Sequence, residues 1–112
     1  MNGSEAEKIA LSYLQRQRLV LVTQNYRCRF GEIDLIMRDG ETLVFIEVRM
    51  RTNEKYGGAA ASITSKKQTK ILCTARYYLA ELKMELPCRF DVLLLSGING
   101  KEIEWLRDAF GE

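Results

Sequence analysis

The feature that most restricts the fold of this chain is a pair of apolar runs around one turn signal. Residues 31–38 read Gly-Glu-Ile-Asp-Leu-Ile-Met-Arg, residues 41–49 read Glu-Thr-Leu-Val-Phe-Ile-Glu-Val-Arg, and Asp39-Gly40 lies between them. Asp-Gly flanked by apolar runs predicts a β-hairpin, because a two-residue loop needs backbone angles that Gly and Asp adopt at low cost. With Asp39 and Gly40 as the loop, Arg38 faces Glu41, Ile36 faces Leu43, Asp34 faces Phe45 and Glu32 faces Glu47. Side chains alternate along a strand, so Glu32, Asp34, Phe45 and Glu47 share one face. Asp34 and Glu47 become diagonal neighbours, roughly 5–8 Å apart at Cβ, which lets both reach one ion.

Acids placed inside Ile-Asp-Leu-Ile and Phe-Ile-Glu-Val interrupt otherwise apolar strands. Like charges across a strand pair also repel. A divalent cation removes both difficulties by supplying the missing positive charge. Arg49 and Arg51 continue the pleat face of Glu47, so the face runs from acidic to basic, as expected where a metal and a phosphate are held together. The alternative is an ordinary antiparallel strand with a solvated polar face.

Composition narrows the chemistry. The sequence has no histidine, which excludes Ser-His-Asp and Cys-His catalysis and His-rich zinc sites. Carboxylates, amines, guanidiniums, hydroxyls and a metal held by oxygen remain. The net charge of +2 says little, but its distribution is uneven. Between residues 49 and 76 stand Arg49, Arg51, Lys55, Lys66, Lys67, Lys70 and Arg76 against the single acid Glu54. Such a patch suits a polyanion, or else is a solvated basic face. Cys28, Cys73 and Cys88 show no zinc or redox spacing and read as reduced thiols of a cytoplasmic protein. No apolar run is long enough to span a bilayer and the first residues do not read as a secretory signal, so no membrane is expected. A length of 112 residues fits one domain, residues 1–112.

Around the hairpin, Ala6, Ile9, Ala10, Tyr13 and Leu14 recur at helical spacing and predict a helix from Ser4, as a cap, to about Gln17. Residues 19–22 read as a short strand, and residues 52–62, with Gly57 and Gly58, as a flexible loop. Ile71, Leu72, Ala75, Leu79 and Leu82 predict a second helix over about 64–84, with Lys66, Lys67 and Lys70 in its first turns. Residues 89–95 read as a buried strand, and Asn99-Gly100 turns the chain into a last strand over 102–106. Tyr77, Tyr78, Trp105 and Phe110 read as core or interface aromatics. Asp91 reads as a partner of Arg89 rather than a site residue. Helix, three strands, helix and two strands make a mixed sheet flanked by helices.

At Gly31-Glu32-Ile33-Asp34-Leu35-Ile36 followed by Leu43-Val-Phe-Ile-Glu47-Val48-Arg49-Met50-Arg51, the chain resembles the YraN-like family of small bacterial proteins. Gly3, Glu7, Ala10 and Leu14, the segment Asn25-Tyr-Arg-Cys-Arg29, Lys67-Gln68 and Arg89-Phe90-Asp91-Val92 extend the likeness over nearly its whole length. That family is grouped with restriction-endonuclease-like nucleases and archaeal Holliday-junction resolvases. The resemblance implies a restriction-endonuclease-like αβββαβ core. It implies Mg²⁺ (or Mn²⁺) held by Glu7, Asp34 and Glu47, with Glu32 able to assist through water or a second ion. The superfamily has a catalytic lysine two residues after the strand Glu; here Arg49 stands there. An arginine can stabilise charge on phosphorus, but a guanidinium holds its proton too tightly to take one from water.

The function expected is Mg²⁺-dependent hydrolysis of DNA phosphodiester bonds, selective for branched or flapped structures. Asp34, Glu47 and Arg49 would do the chemistry, and Arg51, Lys66, Lys67 and Lys70 would follow the backbone. A homodimer is expected by analogy with resolvases. The alternatives are a nucleic-acid-binding module of the same fold without turnover, and a protein-interaction domain using the strand over 102–106 with Trp105.

Overall fold

The computed structural model describes residues 3–50 and 63–111. Along them run α1 (Gly3–Arg16), β1 (Val20–Cys28), β2 (Gly31–Asp39), β3 (Thr42–Met50), α2 (Ser65–Leu82), β4 (Cys88–Ser96), a 3-10 turn (Ile98–Gly100) and β5 (Glu102–Phe110). The strands form one sheet in the order β1-β2-β3-β4-β5. Neighbours are antiparallel except β3 and β4, which are parallel, and α2 lies in the crossover that a parallel step requires. The expected αβββαβ core is present, with β5 added at one edge. Among the described residues no helix is long and apolar enough to cross a membrane.

Each sheet face is covered by one helix. Ala6, Ala10 and Leu14, one turn apart on α1, pack on Leu35, Met37, Val44, Ile46, Leu93 and Leu95. Ile71 and Ala75 of α2 pack on Ile33, Ile36, Leu43, Phe45 and Phe90. Strands β3 and β4 are therefore apolar on both sides, which is why they read as continuous hydrophobic runs. The β2 alternation breaks at Asp34: Ile33 joins the α2 side, whereas Leu35 and Met37 join the α1 side.

The hairpin loop differs from the expectation by one residue. Gly40 and Glu41 form it, and Asp39 pairs with Thr42. Gly40, at φ +62°, leads the loop, which is the position of glycine in a type II′ turn. Arg38 consequently faces Leu43 and Ile36 faces Phe45, not Glu41 and Leu43. The ladder ends at Leu35 and Ile46, so the expected pairings of Asp34 with Phe45 and Glu32 with Glu47 do not form. Other boundaries moved where polar residues hid structure. Strand β1 runs on through Thr23, Gln24 and Asn25 because it is an edge strand with no buried residue. Strand β5 extends to Phe110 across Arg107 and Asp108. Ser4 lies inside α1 rather than capping it, while Thr64 does cap α2 through the Lys67 N–H. The loop expected over 52–62, with Lys55, lies outside the described residues.

Asp91, wholly buried on β4, explains how β5 is held. Opposite it β5 bulges between the Phe90–Phe110 and Val92–Leu106 pairs. The Asp91 carboxylate accepts from Asp108 N at 2.9 Å, Trp105 Nε1 at 2.9 Å and Arg89 Nε at 3.1 and 3.2 Å. Arg89 reaches on to Asp39 at 3.0 Å. The reading of Asp91 as the partner of Arg89 holds. Trp105, bonded to Asp91 and edge-on to Tyr13, packs against the α1-side core, in keeping with its reading as a core or interface aromatic. Replacing Asp91 with Ala leaves the Arg89 charge, an indole N–H and a backbone N–H without their acceptor. The expected loss is about 3–5 kcal/mol of unfolding free energy by urea titration, whereas Trp105→Phe should cost about 1–3 kcal/mol.

Candidate metal and phosphate site

Past Leu35 and Ile46 the β2–β3 ladder stops, and a side chain takes over the connection. Asp34 Oδ2 accepts the backbone N–H of Val48 at 2.9 Å. Asp34 is half-buried, and its pKa is raised by burial, against the lowering effect of the Val48 N–H and with further upward pressure from Glu32. Glu47, on β3 beside it, is only 7% exposed. Burial first, then the neighbouring Asp34 charge, push its carboxyl up to about 7. The two acids thus meet where the strands part.

Cations approach from two elements. Arg49 Nε lies 3.4 Å from Glu47 Oε1, and Lys67 Nζ of α2 lies 3.9 Å from the same oxygen. The Arg49 contact is Coulombic, since Arg49 Nε is buried without an aligned hydrogen-bond acceptor. Lys67 owes its position to the start of α2, where Thr64 Oγ1 accepts the Lys67 N–H at 3.1 Å. The sequence reading placed Lys67 among residues that follow a DNA backbone; the fold sets it against Glu47. No local pattern could have found this, because the contact joins a strand to the helix of the next crossover. Lys66 and Lys70 are exposed on the same helix. Arg51 lies outside the described residues.

Glu7 of α1 reaches the same region from the other side. Its pKa is raised, by burial and then by Asp34, while a hydrogen bond from Asn25 opposes the shift. Asp34 therefore repels both Glu7 and Glu47. Glu32 is paired with the exposed Arg27 at 3.0 Å. Among the described residues, however, no three acidic or thiol side chains gather closely enough to hold a metal by themselves. Of the expected ligands Glu7, Asp34 and Glu47, Asp34 is the common neighbour, since its charge acts on both of the others. A hard cation still fits this donor set, because Mg²⁺ is commonly held by one or two carboxylates together with water and phosphate oxygens.

A carboxyl raised by folding keeps its proton to higher pH in the folded chain than in the unfolded one. Between about pH 4.5 and about 7 the folded state binds more protons at Glu47, so stability falls as pH rises across that window. Glu47→Gln removes this cost. The variant should be more stable than the parent at pH 8, by up to about 3 kcal/mol without added metal, and the advantage should vanish near pH 4. Thermal melts over that pH range check it.

Several proteins are similar to this chain in sequence. A UPF0102 protein of Nitrosospira multiformis is 61% identical over 110 residues, covering 98% of this chain and 92% of its own. One from Nitrosomonas europaea is 58% identical over 110 residues, covering 98% and 93%, and one from Methylobacillus flagellatus is 52% identical over 108 residues, covering 96% and 95%. The YraN-like resemblance holds. Matched over residues 6–95 by the family's model and over nearly its full length by these relatives, the chain belongs to the uncharacterised protein family UPF0102.

Proposed function

We propose that this protein is a metal-dependent nuclease that hydrolyses DNA phosphodiester bonds. The observation that carries the reading is the Asp34–Glu47 pair: a buried carboxyl beside a half-buried one whose charge acts on it, at the point where the strands separate. A fold built for stability alone would not keep such a pair, because burial raises the proton affinity of both and the Asp34 charge raises that of Glu47 further. Asp34 and Glu47 would hold Mg²⁺ (or Mn²⁺), with Glu7 acting through water. The ion would supply positive charge at the scissile phosphate and a more acidic water.

The chain's own residues account for the rest. The Val48 N–H fixes one oxygen of Asp34, leaving the other for a ligand. Arg49 stabilises negative charge growing on the phosphate oxygens. Lys67, at the first turn of α2, adds a second positive charge beside Glu47. That helix begins with lysines and no acid, an arrangement that its own dipole disfavours and that a phosphate group relieves. Lys66, Lys70 and Arg51 contact the backbone without reading bases, so affinity should fall steeply with salt. Such contacts fit selectivity for branched or flapped DNA rather than sequence.

One observation favours a second reading, a nucleic-acid-binding module without turnover. Arg49 and Lys67 already neutralise Glu47, so the acid does not require a metal. The two are separated by titrating Mg²⁺ and Mn²⁺ into the protein. The nuclease reading expects a rise in melting temperature that saturates with metal and is lost in Asp34→Asn. It also expects Asp34→Asn to lower cleavage of flapped or four-way DNA by at least about 100-fold. A variant that cleaves as fast as the parent, with contaminating nuclease excluded, removes the nuclease reading.

A further inference from the structure

A pair of aromatic rings stands on the surface about three helical turns along α2 from Lys67. Phe30, in the turn between β1 and β2, and Tyr77, on α2, are each 40% exposed. Their centroids are 6.0 Å apart in an edge-to-face contact, and the Arg29 guanidinium lies over the Phe30 ring at 4.8 Å. Tyr77, which by sequence reads as a core or interface residue, belongs to none of the buried clusters among the described residues.

The turn is held on the helix by the absence of a side chain at Gly31. A Cβ there would come within 3.2 Å of Thr74 Oγ1 and 3.7 Å of Lys70 Cβ, and its φ of +153° suits glycine. Lys67, Lys70 and Tyr77 follow one another at helical spacing along one stripe of α2, with Thr74 between the last two wholly buried under the turn. The stripe starts at Glu47, which Lys67 contacts, and ends at the rings about 15 Å away at 1.5 Å per residue. That span matches about four nucleotides of a stacked strand at 3.4 Å each. Lys70, exposed midway, is placed to meet a phosphate between them.

We infer that Phe30, Tyr77 and Arg29 form a stacking platform for unpaired bases, so that the DNA recognised here carries a single-stranded segment beside the carboxylate site. Aromatic faces bind any base whose own face is free, and a guanidinium adds a further planar surface. In a duplex those faces are already stacked, so the platform selects single strands over paired ones. The placement of the segment next to a cleaved bond rests on the nuclease reading above; the binding of bases does not.

The test uses the full-length protein with EDTA, so that no cleavage occurs, and fluorescence anisotropy with three labelled probes. These are a thymidine oligonucleotide, an abasic oligonucleotide of equal length, and a blunt duplex. Phe30→Ala and Tyr77→Ala should each bind the thymidine strand roughly 5- to 100-fold more weakly than the parent, with abasic and duplex binding unchanged. Tyr77→Phe should retain parental affinity, and Lys70→Ala should weaken thymidine and abasic strands alike. Both rings are surface groups, and circular dichroism checks that the variants fold. Equal losses on the thymidine and abasic strands, or no loss on the thymidine strand, would overturn the platform. Loss specific to bases, together with undiminished cleavage by Asp34→Asn, leaves the platform standing and the nuclease reading rejected. Abolished cleavage in Asp34→Asn, with parental thymidine binding in both Ala variants, rejects the platform alone.

Discussion

The bond from Val48 N–H to Asp34 replaces a rung of the sheet with a side chain, and the candidate site depends on it. Up to Leu35 and Ile46 the two central strands are joined by backbone pairing. Beyond that point β2 pairs with β1 and β3 with β4, so the strands separate while remaining anchored on their outer sides. A gap opens between two rigid neighbours, and Asp34 bridges it with one oxygen. The same separation lets Glu47 sit deep in the sheet without full solvation. Rigid strands hold both acids in place, which is what a site needs if it is to receive charge rather than adjust to it.

Two acids embedded in apolar strands illustrate what burial alone does not tell. Asp91 is wholly buried and surrounded by donors: an indole, a guanidinium and a backbone N–H from the bulge of β5. It locks the edge strand and has no capacity left for a ligand. Asp34 and Glu47 are less completely enclosed, receive fewer donors and stand in the field of neighbouring acids, Glu32 for Asp34 and Asp34 for Glu47. A satisfied buried acid is a fastener, whereas a pair that remains electrostatically unfavourable is a candidate site.

Helix α2 links that site to the rest of the surface. Its cap sets Lys67 against Glu47, its middle receives the β1–β2 turn through the bare backbone of Gly31, and Tyr77 carries the stripe onward to Phe30. The inner face of the same helix, Ile71 and Ala75, is sealed into the core. One amphipathic element thus fixes the sheet on one side and presents cations and rings on the other.

The order and type of the elements were legible from residue patterns, because β3 and β4 are apolar on both faces and the helices carry apolar residues at helical spacing. The acids were also legible, since Asp34 and Glu47 break runs that would otherwise be uniformly apolar, and Asp91 could be matched to Arg89 two residues away. Sequence could not place the hairpin loop to within one residue, because Asp39 and Gly40 both suit a turn and only the pairing of Asp39 with Thr42 decides between them. Nor could it follow the polar half of β1, which no core face marks. The position of Lys67 against Glu47, the outward ring of Tyr77 and the inward indole of Trp105 arise from contacts between distant segments. Local periodicity carries which face a residue occupies within its own element; only the packing of one element on another decides what that face meets.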